Sequence, residues 1–116
     1  MTIVYGIPNC ASVKKARQWL EAQGIDYTFH DFKKLGIDSE HLTRWVSACG
    51  LDRVLNRKGT TWRALSESEK SAADTLAGAL TLMETHTSLI KRPVIVHQGG
   101  ILLGFDAPAY QEAFGR

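Results

Sequence analysis

Cysteine has the widest covalent repertoire of any side chain in this sequence, and there are two of them, Cys10 and Cys49. Two thiols far apart in sequence make no disulfide scaffold, and in a reducing compartment both are free. Each is therefore weighed alone. Cys49 shares a helical stripe with Leu42, Trp45 and Val46, so it is expected to behave as a small buried hydrophobe. Cys10 closes the turn Ile7-Pro8-Asn9-Cys10, and a helical pattern begins at Ala11. A helix start presents unpaired N–H groups and the positive end of the helix dipole, both of which favour an anion. The Cys10 sulfur is thus placed to be a thiolate, with Lys14 and Lys15 adding charge that solvent partly screens. The competing reading is a thiol merely packed at a tight turn, and spacing alone does not separate the two.

Thiolate formation by itself explains little. Lowering a generic thiol from a pKa of about 8.5 to about 6 raises its ionised fraction at pH 7 roughly thirtyfold, but the weaker nucleophilicity returns about a factor of ten. Catalysis at such a sulfur relies on groups that hold the partner beside it. Arg57, in the loop Asn56-Arg57-Lys58-Gly59, and Arg92, immediately before Pro93, are the candidates. A guanidinium fork grips a carboxylate or oxyanion through two parallel hydrogen bonds, which lysine cannot reproduce. Position alone leaves each arginine equally open to a solvated surface role.

Other chemistries fail on spacing. The phosphatase loop C-x5-R-[ST] is missed because Arg17 lies one position too far and Gln18 follows it. The dithiol motif C-x-x-C is missed because Val13 stands where its second cysteine would be. His30, His41, His86 and His97 form no metal-ligand pattern with the cysteines, and no metal is expected.

The elements that position these residues follow from periodicity. Thr2 to Gly6 reads as an interior strand, and Ala11 to Gln23 as a helix with Val13, Ala16 and Leu20 on one stripe, ended by Gly24. Tyr27 to Phe32 reads as a second strand, giving a βαβ unit with a parallel pair. Asp38-Ser39 caps a helix ending at Gly50, and Leu51 to Leu55 adds a helical turn. Ser66 and Glu69 form a capping box for an Ala-rich helix running to about Thr85, with Leu76, Leu80 and Met83 as its apolar face. Val94 to His97 and Ile101 to Gly104 flank Gln98-Gly99-Gly100 as a hairpin, and Asp106 caps a closing helix bearing Tyr110 and Phe114. The expected architecture is α/β: a four-stranded mixed sheet in the order βαβ, helical insertion at about 38–85, then ββα, all within one domain spanning 1–116.

Composition narrows the function. The chain has 116 residues, 14 Lys+Arg against 12 Asp+Glu, and a net charge of +2, too balanced for the broad basic face of a nucleic-acid binder. A chain of this length buries roughly 65% of its unfolded surface and needs no staple. No run approaches the ~18 apolar residues of a membrane span, and no signal segment opens the chain, so a cytoplasmic location is expected.

Taken together, Tyr5-Gly6-Ile7-Pro8-Asn9-Cys10 with Ser12, Lys14-Lys15-Ala16 and Trp19-Leu20, then Leu55-Asn56-Arg57-Lys58-Gly59, Ile90-Lys91-Arg92-Pro93 and Leu103-Gly104-Phe105, resemble the arsenate reductase/Spx family, in particular its YffB-like branch. The likeness runs in order over essentially the whole chain. It implies a thioredoxin-like fold with a helical insertion and a cis Pro93. It also implies that Cys10 is the nucleophile, with Arg57 and Arg92 beside it as catalytic and substrate-binding groups. Asn9, Lys14, Pro93 and Phe105 complete the expected substrate-binding set. Phe105 stands where the arsenate reductases carry a third arginine, which weakens neutralisation of an oxyanion. Val13 removes the C-x-x-C switch of the Spx regulators, which bind RNA polymerase. The expected activity is a glutathione-dependent thiol–disulfide reductase working through one cysteine and a mixed disulfide. No cofactor is bound; glutathione is a co-substrate, and the partner is an oxidised small molecule or protein, or glutaredoxin. A monomer is expected, with no nucleic-acid or membrane partner. Arsenate reduction and a non-enzymatic Spx-like binding module are the alternatives.

Overall fold

β1 (Ile3–Gly6) forms at the centre of a sheet because its β-branched and aromatic residues are covered on both faces: Val4 is fully buried and Tyr5 nearly so. The computed structural model describes all 116 residues, Met1–Arg116. After β1 come α1 (Ala11–Ala22), β2 (Thr28–Asp31) and α2 (Phe32–Leu35). α3 (Ser39–Cys49), α4 (Leu51–Val54), α5 (Thr60–Ala64), α6 (Glu67–Ala72) and α7 (Leu76–Thr85) follow, then a 3-10 turn at Thr87–Leu89. β3 (Val94–His97), β4 (Gly100–Leu103) and α8 (Ala107–Phe114) end the chain. The residues group into a sheet unit, Met1–Leu35 with Arg92–Arg116, and a helical unit, Gly36–Lys91. No helix is long and apolar enough to cross a membrane.

In the sheet unit the strand order is β2-β1-β3-β4. β1 and β2 are parallel, as a helical crossover between them requires, and the other two pairings are antiparallel. Register sets the faces. Val4 lies opposite Phe29 and Ile95, and Ile95 opposite Leu102, so these four share one face. That face meets Ala16 and Leu20 of α1 and Tyr110 of α8, with Trp19 edge-on to Tyr110 at 5.5 Å. The Tyr110 hydroxyl donates to the Gly104 carbonyl at 2.5 Å, satisfying a polar group in the core. Tyr5 and His30 occupy the other face, ring against ring at 4.8 Å. Gly6 permits the approach of α1 to the end of β1: a Cβ there would lie 2.7 Å from Val13 Cγ2.

In the helical unit α3 packs on α7, and Leu42, Trp45, Ala79, Leu82 and Met83 are buried. Asp38 caps α3 by accepting from the His41 N–H at 2.9 Å, and the Ser66–Glu69 capping box opens α6. Leu55 bridges Ile90, tying the two ends of the unit's loops together.

Several expectations need correction. The Ala-rich helix is two helices, because Thr75 starts a new one by accepting from the Gly78 N–H at 3.1 Å. Its buried face is accordingly Ala79, Leu82 and Met83, while Leu76 is exposed. β2 stops at Asp31, whose side chain accepts from the Lys33 N–H at 2.9 Å and turns Phe32 into α2. α5 was not expected; it is one short turn with no buried residue. Asp106 stands at the N-cap of α8 but makes no side-chain cap bond, and Pro108 at the second helical position has no N–H to offer it. Cys49 is only partly buried, since its place at the last position of α3 leaves one side open.

Candidate functional site

The antiparallel register of β1 and β3 sets Tyr5 opposite Val94. In such a pair the chain leaving one strand lies at the same end of the sheet as the chain entering the other. Gly6 to Cys10 leave β1, and Arg92-Pro93 enter β3 through a cis peptide bond. This is how two residues remote in sequence meet: the Arg92 guanidinium lies beside the Cys10 sulfur and holds its pKa down.

Cys10 is the N-cap of α1, extended at φ −99° and ψ 128°, and its carbonyl accepts the first helical bond from the Lys14 N–H at 3.0 Å. Its thiol makes no capping hydrogen bond of the kind an oxygen makes. The contacts that matter are those of a large, diffuse thiolate. Burial has the largest single influence and pushes the thiol up. The Val13 N–H, the Ser12 N–H and the Arg92 guanidinium favour the anion and pull the other way, and the Arg92 charge adds to them. Together they outweigh burial, and Cys10 lies below the ordinary thiol value.

Around this pair, Pro93 is buried against the start of β3, while Asn9 and Lys14 are exposed on either side of Cys10 in the chain. Phe105 packs edge-on against Tyr110 at 5.1 Å, as part of the apolar cluster beneath the sheet. Arg17, the residue that nearly completes a phosphatase loop, stacks over Phe29 at 4.1 Å and donates to the Tyr27 hydroxyl at 2.9 Å. Arg57 belongs to the helical unit, where its Nη1 donates to Asp52 Oδ1 at 2.7 Å and its guanidinium lies 5.5 Å from the Trp62 ring centroid. The histidines are dispersed in role: His41 pairs with Asp38, His86 lies 3.8 Å from Glu69, and His97 accepts from the Gly99 N–H.

Sequence reasoning identified the helix start but not its individual donors, the Ser12 and Val13 N–H groups. It also missed Gly6, whose absent side chain lets Val13 and hence the Cys10 turn sit against β1. The only trace of that approach in the sequence is a glycine between a strand pattern and a proline.

The arrangement can hold a thiolate and an adjoining anion at one end of the sheet. Comparison with known proteins agrees with the class of fold that does so. The family model described as the ArsC family matches residues 5–113. A solved YffB protein is 47% identical, superposes with a TM-score of 0.92, and covers 97% of this chain and 98% of its own. An arsenate reductase (ArsC) related protein from Brucella melitensis is 44% identical with a TM-score of 0.73, covering 99% and 95% respectively. Among sequence relatives, the global transcriptional regulator Spx of Bacillus subtilis is 25% identical over 108 residues, 91% of this chain and 81% of the regulator. The four-stranded mixed sheet with its helices is the thioredoxin-like fold of these proteins. On the match over residues 5–113 and the near-full-length relatives, this chain belongs to the ArsC family.

Proposed function

We propose that the chain is a thiol–disulfide reductase that works through Cys10 alone and takes glutathione as its co-substrate. The observation that carries this reading is the Cys10 sulfur, partly buried at the N-terminus of a helix and beside Arg92, with its pKa lowered. In the first step the Cys10 thiolate attacks one sulfur of an oxidised disulfide; a Cys10 mixed disulfide forms, and the other sulfur leaves as a thiolate with the bonding pair. In the second, a glutathione thiolate attacks the partner's sulfur in that mixed disulfide and releases Cys10 as the thiolate. An external thiol is required because Val13 occupies the position of a resolving cysteine. The Ser12 and Val13 N–H groups stabilise the Cys10 sulfur both as nucleophile and as leaving group. Arg92 grips a carboxylate of the glutathionyl group. No bound cofactor takes part, and glutaredoxin is a candidate recycling partner.

The test is direct. Incubation with oxidised glutathione is expected to add one glutathionyl group to Cys10, seen by mass spectrometry and absent in Cys10→Ser. A Cys10 with an ordinary thiol pKa and glutathione-coupled turnover that persists in Cys10→Ser would sink the reading. The similarity to Spx favours a second reading, a regulatory module that binds the transcription machinery. Equal capture of RNA polymerase by wild type and Cys10→Ser, with no thiol exchange by either, would support it. Arsenate is the less favoured substrate because Phe105 contributes an apolar ring where the family's reductases carry an arginine; glutathione-dependent arsenate turnover would reverse that order.

A further inference from the structure

We infer that Lys33 and Lys34 of α2 are specificity-determining residues for the reaction at Cys10: with Lys14 and Lys15 they form a cationic rim that selects a protein disulfide flanked by acidic residues. The inference rests on the reading of Cys10 as the nucleophile of thiol–disulfide exchange. Placement comes from the sheet. β1 and β2 run parallel with Gly6 opposite Asp31, so the chain leaving either strand emerges at the same end. From β1 that chain is the turn to Cys10, and from β2 it is α2. Two contacts fasten α2 there. Asp31 Oδ1 accepts from the Lys33 N–H at 2.9 Å, and the buried Phe32 ring lies 6.3 Å from the ring of Tyr5, the residue before Gly6.

With Phe32 buried, Lys33 and Lys34 of this short helix are exposed. Lys14 and Lys15, also exposed, stand at the opening of α1 just after Cys10. α1 covers the Val4 face of the sheet, whereas Phe32 joins Tyr5 and His30 on the other. The lysines are therefore carried on both faces of the sheet at the end where Cys10 lies, which suits charges on both sides of a reacting sulfur. Acidic residues flanking a cysteine supply that pattern.

Charge is spread unevenly over the sheet unit. The Cys10 end holds these lysines and Arg92 against Asp31 and Asp106, and Asp31 is nearly buried and already bonded to the Lys33 N–H. The opposite end, where β2 begins and α1 and α8 finish, holds Glu21, Asp26 and Glu112 against Arg116. Arg17, between the two, is held by Tyr27 and Phe29. None of the four lysines joins an ion pair, whereas Arg44, Arg57 and Lys70 of the helical unit each do. Like charges gathered in this way repel one another in the folded chain, and they speed the arrival of an anion.

The probes are three peptides, each with one cysteine activated as its 2-thiopyridyl disulfide and flanked by two glutamates, two glutamines or two lysines. The Cys10 thiolate forms an S–S bond to the peptide sulfur as the bond to the pyridyl sulfur breaks. The pyridine thiolate leaves with the bonding pair, takes a proton from water, and its absorbance gives the rate of the fast phase that Cys10→Ser lacks. Dividing the glutamate rate by the glutamine rate removes changes in the sulfur itself. In the wild type this ratio is expected to be roughly tenfold at ~10 mM salt and to fall towards one at ~0.5 M, with the lysine peptide slowest. Lys33→Gln/Lys34→Gln is expected to lower the low-salt ratio about threefold. Arg116→Glu, which makes the same change in net charge at the opposite end of the sheet, is expected to lower it by less than about 1.5-fold. A wild-type ratio near one at low salt, an unmoved ratio in Lys33→Gln/Lys34→Gln, or equal losses in that variant and Arg116→Glu would each overturn the inference while leaving exchange at Cys10 intact. If none of the three peptides reacts with Cys10, the exchange reading itself fails and this inference with it.

Discussion

Cys10 and Cys49 carry the same side chain at opposite ends of helices. Both are free and both are partly buried, so exposure does not distinguish them. What differs is the end of the helix. Cys10 precedes α1, where the Ser12 and Val13 N–H groups face the sulfur and Arg92 arrives from the start of β3. Cys49 is the last residue of α3, where backbone carbonyls point outward and the N–H of the following Gly50 turns back to the Val46 carbonyl at 2.8 Å. Oriented donors favour a thiolate at Cys10, and the end of α3 offers none. A thiol's place in the backbone field, rather than its accessibility, thus marks it for chemistry.

The strongest attempt to break this contrast exchanges each sulfur for oxygen. Cys10→Ser is expected to remove the fast phase of modification by oxidised glutathione entirely, and Cys49→Ser to retain it, as read by the mass of the product over time. A fast phase that survived in Cys10→Ser and vanished in Cys49→Ser would invert the assignment. Next in size is Arg92→Ala, which removes a donor and a charge from beside the sulfur. One charged hydrogen bond lost corresponds to a rate falling about tenfold at neutral pH. The pH profile of Cys10 alkylation is expected to move to higher pH in the same variant, because both contributions of Arg92 lower the thiol pKa. An unmoved profile would show that the helix N–H groups suffice.

A smaller effect appears in stability. Cys10 is an acid whose pKa is lower in the folded chain than its ordinary value of 9.0, so the folded state binds fewer protons than the unfolded state between those values. Its contribution is therefore fully present above the ordinary value and is lost as pH falls through the folded one. Urea unfolding of wild type and Cys10→Ser across that interval is expected to show the wild type gaining on the variant as pH rises. Arg92→Ala, which weakens the shift, is expected to flatten the gain.

Most of what builds the contrast is local, and was legible. The strand and helix periods around Cys10, the Asp38 cap of α3 and the Ser66–Glu69 box all rest on residues within a few positions of each other. The hairpin was legible too, because Gln98-Gly99-Gly100 separates two short apolar runs, although Gly100 pairs with His97 and already belongs to β4. The break between α6 and α7 was not. Alanines at positions 72, 73, 77 and 79 keep helix propensity high, and only Thr75 with Gly78 marks the new start. α5 was missed because five residues with none buried leave no periodic signal. The meeting of Cys10 with Arg92 depends on the β1–β3 register, a non-local pairing that spacing cannot express; the family resemblance suggested it, and the sheet explains it.

The least expected change is at Cys49, and its smallness is informative. The side chain is partly buried at the end of α3, and the neighbouring Leu42 and Trp45 carry the packing of that face. Cys49→Ala keeps the β-carbon, raises helix propensity and removes one sulfur from a site that solvent already reaches. The two effects oppose each other, so the variant is expected to change unfolding free energy by less than about 1 kcal/mol. Its rate with oxidised glutathione is expected to equal that of the wild type. A loss of several kcal/mol in urea would show that the sulfur fills a tightly packed space, restoring the buried-hydrophobe reading of its sequence; a loss of exchange rate would tie the end of α3 to the chemistry at Cys10. With neither, the two cysteines are separated by backbone direction and by Arg92, one at the donor end of a helix beside a guanidinium and one at the acceptor end.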